Sequence, residues 1–169
     1  MRMRLDNFPY TIYCDALITS TILYLPLFLL TFMHYGNEGN YYVLKVDDEE
    51  NLFEVLEKFV KAERISSAVI LAGIGMLRDF ELGYFDGKEY HKKKYATPHE
   101  LVSMKGTIAD GILHIHASLA NEKHELIGGH LFSATTCILN EIFIQRLEKV
   151  KLGRVKNQKT GLMELVIHQ

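Results

Sequence analysis

Residues 111–134, GILHIHASLANEKHELIGGHLFSA, hold four of the chain's eight histidines. His114 and His116 stand two apart, and His130 follows Gly128-Gly129. Neutral imidazole is a zinc ligand at about 2.0–2.1 Å, and three such ligands with a fourth position open make a catalytic or ligand-accepting zinc site. The competing reading is that these are ordinary polar residues on the wet face of a sheet, as a lone H-x-H pair often is.

Geometry separates the two readings. In a strand over 112–120, alternate side chains share a face, so Ile112, His114, His116 and Ser118 point one way. Leu113, Ile115, Ala117 and Leu119 form the opposite, apolar stripe. If the loop NEKHE (121–125) closes a hairpin symmetrically about Lys123, Ala120 pairs with Leu126 and His116 falls opposite His130. Opposed residues have Cβ atoms ~5 Å apart and diagonal ones ~7–8 Å, which makes His114 the diagonal neighbour of His130. The expected metal ligands are therefore His114, His116 and His130, with zinc as the expected ion and Gly128 and Gly129 leaving room beside it. The other histidines, His34, His91, His99, His124 and His168, are expected at the surface.

Other patterns carry less chemistry. Gly73-Ile74-Gly75 follows a strand, but a third glycine and a following helix are missing, so packing or a bend explains it better than a phosphate loop. The lysines of HKKK (91–94) suit the solvated side of an edge strand. Ser103 and Ser118 lack a nucleophile-elbow context. A cupin-like reading of H-x-H fails because Glu122 lies too far along and no second motif follows.

The elements that must position these rings are legible after residue 40. YYVLKV (41–46) reads as a strand. Asp47 and Glu50 form a D-x-x-E entry to a helix, whose apolar face is Leu52, Val55, Leu56, Phe59 and Val60. Strands are then predicted over 66–74, 79–85, 88–96, 100–109, 112–120 and 125–134, with tight turns at Asp86-Gly87 and Asp110-Gly111. The stretch 136–148 fits helix or strand and is read as strand, and GLMELVIHQ closes the chain. One helix on a mostly antiparallel sheet is a two-layer α+β fold.

Bulk properties and the N-terminal region set the frame. The 169 residues include 24% charged ones, with a net charge of −2, which gives no electrostatic case for nucleic acid. Two cysteines, Cys14 and Cys137, fit a reducing compartment, and a cytoplasmic location is expected. Residues 16–33 carry no charge, close to the length that spans a bilayer, with Arg2 and Arg4 ahead of them. Three readings stand beside one another: an appended leader, a membrane anchor, or a buried core segment. The chain is divided accordingly into a hydrophobic extension over 1–40 and a domain over 41–169, and a chain starting at Met33 is expected to fold.

The motifs GIGMLRDFELGYFDGKEY, ELVSMKGTIA, LHIHASLA and IGGHLFSA, in that order, resemble the plants-and-prokaryotes conserved domain, often abbreviated PPC, from about Tyr41 to Gln169. The resemblance implies an antiparallel sheet with a packed helix, homotrimeric assembly, and a metal at His114, His116 and His130 as in some prokaryotic members. In plants the domain follows AT-hooks with an R-G-R-P core, and this chain has only Gly153-Arg154. Three functions follow: a trimeric DNA-associated or regulatory binding module, a zinc-dependent enzyme of hydrolase type, or a scaffold that only assembles.

Overall fold

A computed structural model of the protein describes residues 33–168. The uncharged stretch at 16–33 falls, apart from Met33, outside the described residues, as does Cys14. No helix among the described residues is long and apolar enough to cross a membrane.

The described residues open with a hairpin of β1 (His34–Glu38) and β2 (Tyr41–Asp47), so the sheet begins before Tyr41. In β2, Tyr42, Leu44 and Val46 are buried while Tyr41, Val43 and Lys45 face out, the period of two that a half-covered strand requires. The helix α1 (Leu52–Ala62) follows and buries the predicted stripe Leu52, Val55, Leu56, Phe59 and Val60. Phe59 meets the rings of Tyr35 and Tyr42 edge-on at 5.2 Å each, which fixes the helix on the inner face of the first hairpin. The helix entry differs from the D-x-x-E reading. The N-cap is Asn51, whose side chain accepts from the Phe53 and Glu54 amides at 3.0 and 3.1 Å. Glu50 does accept from the Asp47 amide, at 2.9 Å, but in the turn ahead of the helix.

Two long strands replace four shorter predicted ones. β3 (Ser67–Phe85) runs through both 66–74 and 79–85, and β7 (Leu126–Arg146) through 125–134 and most of 136–148. Register shifts between them absorb the breaks in pattern that made each look like two strands. At Ile138 the backbone reaches φ 68, an unfavourable conformation for a β-branched residue, and Asp48 accepts its amide at 2.7 Å. The Gly73-Gly75 pair serves packing and a bend, as expected. Gly75 has φ +137, and a Cβ on it would lie 2.2 Å from the Leu139 carbonyl oxygen.

β4 (Tyr90–Tyr95) is an edge strand, carrying the predicted solvated lysines. The β3–β4 connection is longer than the two-residue turn predicted there. It spans 86–89, with Asp86 Oδ1 accepting from the Lys88 and Glu89 amides. β5 (His99–Ala109) and β6 (Ile112–Ala120) are joined by Asp110-Gly111, both at positive φ, the turn the sequence specified. The sheet order is β1-β2-β7-β6-β5-β3-β4, and a further β7–β3 pairing closes β7, β6, β5 and β3 on one another. All of these pairings are antiparallel and the described residues hold one helix, so the α+β class holds.

The last two strands are β8 (Lys151–Lys156), which sequence reading passed over, and β9 (Met163–His168). They form a separate two-stranded hairpin. It is tied to the body by Leu152 N donating to Ser67 Oγ at 2.9 Å and by Asp110 N donating to the Leu152 carbonyl at 3.0 Å.

Candidate metal centre

The three histidines meet at the His116–His130 end of the antiparallel β6–β7 pairing. Burial of Ile115, Ala117 and Leu119 in the core turns His114, His116 and Ser118 to the opposite face of β6. The hairpin pairs Ala120 with Leu126 and His116 with His130, the register set by symmetric closure about Lys123. One ring nitrogen from each histidine lies within 4.8 Å of the other two. The Nε2 atoms of His114 and His116 are 3.3 Å apart. Ring centroids are separated by 5.0 Å for His114–His130 and by 5.2 Å for the other two pairs.

These residues fit a metal ion. Two ligands on a tetrahedral ion at ~2.0–2.1 Å stand ~3.3–3.4 Å apart, the separation seen between His114 and His116. His130 Nδ1 is buried with no hydrogen-bond partner, which would be costly for a group with nothing to bind. Among the described residues this is the cluster of histidine, cysteine and carboxylate groups that could hold an ion, and no carboxylate belongs to it.

The surroundings of His114 and His130 favour neutral rings. Burial lowers the pKa of His130 to about 4, helped by the neighbouring His114 and His116, then by Lys92 and Arg154. Burial also lowers that of His114, with Arg154 and His116 adding to the effect. A neutral imidazole has its lone pair free, so these two rings are prepared for ligation without first losing a proton. One wall is aromatic: Phe132 lies 4.4 Å and Tyr90 5.3 Å from the His130 ring, centroid to centroid.

Two expectations about the neighbourhood are corrected. Gly128 and Gly129 do not serve to open space beside the rings. A Cβ on Gly128 would lie 2.8 Å from the Ala117 carbonyl oxygen, and one on Gly129 would lie 2.7 Å from that of Gly83. The pair lets β6, β7 and β3 approach closely. His99 is not at the surface: it is buried at 7% exposure, edge-on to Phe80, with Nδ1 2.9 Å from the Thr97 carbonyl oxygen. Its position in β5 behind Tyr95 and Phe80 comes from tertiary packing, which no local pattern marks. His34, His91, His124 and His168 are exposed, as expected, and His91 lies 2.7 Å from Asp86.

Sequence reading missed the cations around the site. Lys105 is directly opposite His116, and Thr107 directly opposite His114. This followed from the Asp110-Gly111 turn, which pairs Ala109 with Ile112 and so fixes the pairs as far as Ser103 and Ser118. Arg154, by contrast, reaches the site only through the β8–β9 hairpin, where its Nη2 donates to Thr107 Oγ1 at 2.8 Å. Lys92 sits on the other side, opposite Gly83, which is itself opposite His130. Its ammonium lies 3.6 Å from the centre of the Phe132 ring and 3.0 Å from Glu81.

Comparisons with known proteins agree with this architecture. Residues 33–148 match the family model described as the Plants and Prokaryotes Conserved (PCC) domain. The match starts ahead of Tyr41 and ends before the β8–β9 hairpin. No curated protein matches the chain. Among solved structures, the metal-containing protein of Archaeoglobus fulgidus is 32% identical, with TM-score 0.69, over 78% of this chain and 97% of that one. A plant- and prokaryote-conserved (PPC) protein of Pyrococcus horikoshii is also 32% identical, with TM-score 0.66, covering 80% and 96% of the two chains. A candidate DNA-binding protein of Bacteroides thetaiotaomicron shares the fold, with TM-score 0.74 and 24% identity, over 79% and 96%.

Proposed function

This chain belongs to the Plants and Prokaryotes Conserved domain family, and we propose that it is a homotrimeric, DNA-associated regulatory binding module built around a zinc ion held by His114, His116 and His130. The observation that carries the metal reading is the convergence of three imidazoles, two of which, His114 and His130, burial keeps neutral, with the buried Nδ1 of His130 otherwise unpartnered. The relative from Archaeoglobus fulgidus that is described as metal-containing supports it. When bound, zinc supplies a Lewis acid with an open position and lowers the pKa of bound water to ~7.

Within this reading the chain's own residues have separate tasks. β6 supplies two ligands on one face and β7 the third, so the hairpin sets the spacing before any ion arrives. Phe132 and Tyr90 hold the His130 ring and keep water from one side. A hydrolase would also need a proton acceptor near the open position. Glu122 and Glu125 belong to the loop and not to the cluster, and Glu125 accepts from Asn121 Nδ2 at 2.7 Å. The binding module is therefore better supported than the enzyme.

DNA association comes to this chain from the description of its Bacteroides relative, against a net charge of −2. Contact with phosphates would have to use local basic surface such as the lysines of β4, and its affinity would fall steeply with salt. The deciding experiment for the centre is metal content per chain in the parent and in a variant carrying His116→Ala and His130→Ala. Near-stoichiometric zinc in the parent and none in the variant is expected. A metal-free parent purified without chelator would overturn the zinc centre.

A further inference from the structure

The face that carries the three histidines also gathers positive charge, and the balance of that charge selects a ligand. Cross-strand partners point to the same face of a sheet, so Lys105 flanks His116 while Thr107 flanks His114. Lys105 and Thr107 are two residues apart on one face of β5, ~6.6–6.8 Å along the strand. Thr107 accepts from Arg154 Nη2 at 2.8 Å, which holds the guanidinium next to His114. Arg154 Nη1 donates to the Met163 carbonyl oxygen at 3.4 Å. A guanidinium has five N–H donors, so these two contacts leave donors for a ligand.

The nearby carboxylates are committed elsewhere. Asp110 Oδ2 accepts from the Arg154 backbone amide, at 2.9 Å, not from its guanidinium. Glu81 pairs with Lys92 at 3.0 Å and with Lys94 at 3.9 Å, which offsets the charge on the far side of the site. Among the described residues, neither Lys105 nor the Arg154 guanidinium forms a salt bridge with a carboxylate, and Asp110 acts on the Arg154 charge only from beyond contact distance.

We propose that this face binds a compact oxyanion, a carboxylate or phosphate group, seated between the three-histidine centre and the cationic pair Lys105 and Arg154. The inference rests on the zinc reading above and names the ligand class for the ion's open position. Arg154 gives a planar, pre-positioned fork for two oxygens, and Lys105 a mobile point charge. Arg154 lies beyond the residues matched by the family model, so this half of the site is contributed by the C-terminal hairpin.

The test uses the full chain loaded with zinc. It is titrated with inorganic phosphate and, separately, with acetate, at low chloride, and binding is read by calorimetry. Saturable binding of at least one probe is expected, and which of the two binds distinguishes a phosphate from a carboxylate ligand. Arg154→Gln and Lys105→Gln should each weaken it at least about tenfold with zinc content unchanged. Lys58→Gln, on the exposed side of α1, should leave it as in the parent. Lys105 is exposed, so its variant keeps the test informative even if Arg154→Gln loosens the hairpin. Undiminished binding in Arg154→Gln and Lys105→Gln would overturn the proposal, as would a zinc-loaded parent that binds neither anion. A parent without zinc would instead strike the metal reading itself.

Discussion

Burial makes His130 hard to protonate, and this couples the candidate centre to the stability of the whole domain. In the unfolded chain a histidine titrates near 6.5, whereas folded His130 does so at about 4. Between those values the unfolded state holds the extra proton, so the metal-free protein loses stability as pH falls from about 6.5 to about 4. His114, whose pKa is also lowered, acts in the same direction. His91 acts oppositely, because its hydrogen bond to Asp86 raises its pKa. The expected result is that the thermal midpoint of the chelator-treated parent falls more steeply between pH 6.5 and 4.5 than that of His130→Gln. Equal slopes would mean that His130 is not shielded. The readout is the slope, because loss of ring contacts with Phe132 and Tyr90 lowers the variant's midpoint at every pH.

Strand proximity, more than any side chain, sets the spacing of the imidazoles. Gly106 pairs with Ile115, between the Thr107–His114 and Lys105–His116 pairs. A Cβ at Gly106 would lie 2.2 Å from the His114 carbonyl oxygen, so β5 or β6 would have to move. Gly106→Ala should therefore cost ~1–3 kcal/mol of stability, the usual range for overpacking, and weaken zinc binding as well. Asn51→Ala is the matching control. It removes a helix cap and should cost ~0.5–2 kcal/mol while leaving zinc affinity unchanged, because α1 does not touch the site. Denaturant melts with a zinc-competition assay separate the two. Unchanged zinc affinity in Gly106→Ala would show that the rings tolerate a displaced strand.

The described residues account for one continuous core, in which β1, β2 and α1 pack with the inner faces of β3, β5, β6 and β7. Among the described residues, Tyr42, Leu44 and Phe59 find packing partners within this core. A chain starting at Met33 is accordingly expected to fold, stay soluble and bind zinc as the full chain does. Light scattering on that shorter chain also tests the proposed trimer, whose mass would be three times that of its chain. Aggregation on removal of residues 1–32 would show that the uncharged stretch covers part of the domain.

The sequence by itself determined what depends on near neighbours. Alternation put His114 and His116 on one face of β6, and the loop 121–125 fixed His130 opposite His116. The Asp110-Gly111 turn set the β5–β6 register, and the 3.6-residue stripe set the buried face of α1. These are local rules, in which each residue's direction follows from the residues beside it. The ordered motifs likewise identified the family. Tertiary structure decided the rest. β3 and β7 each run on through a bulge because their partners continue across it, although their patterns break. His99 is buried because Phe80 and Tyr95 close over it. Arg154 joins the histidines only because a hairpin far along the chain folds back onto β5, and no spacing within the sequence encodes that contact.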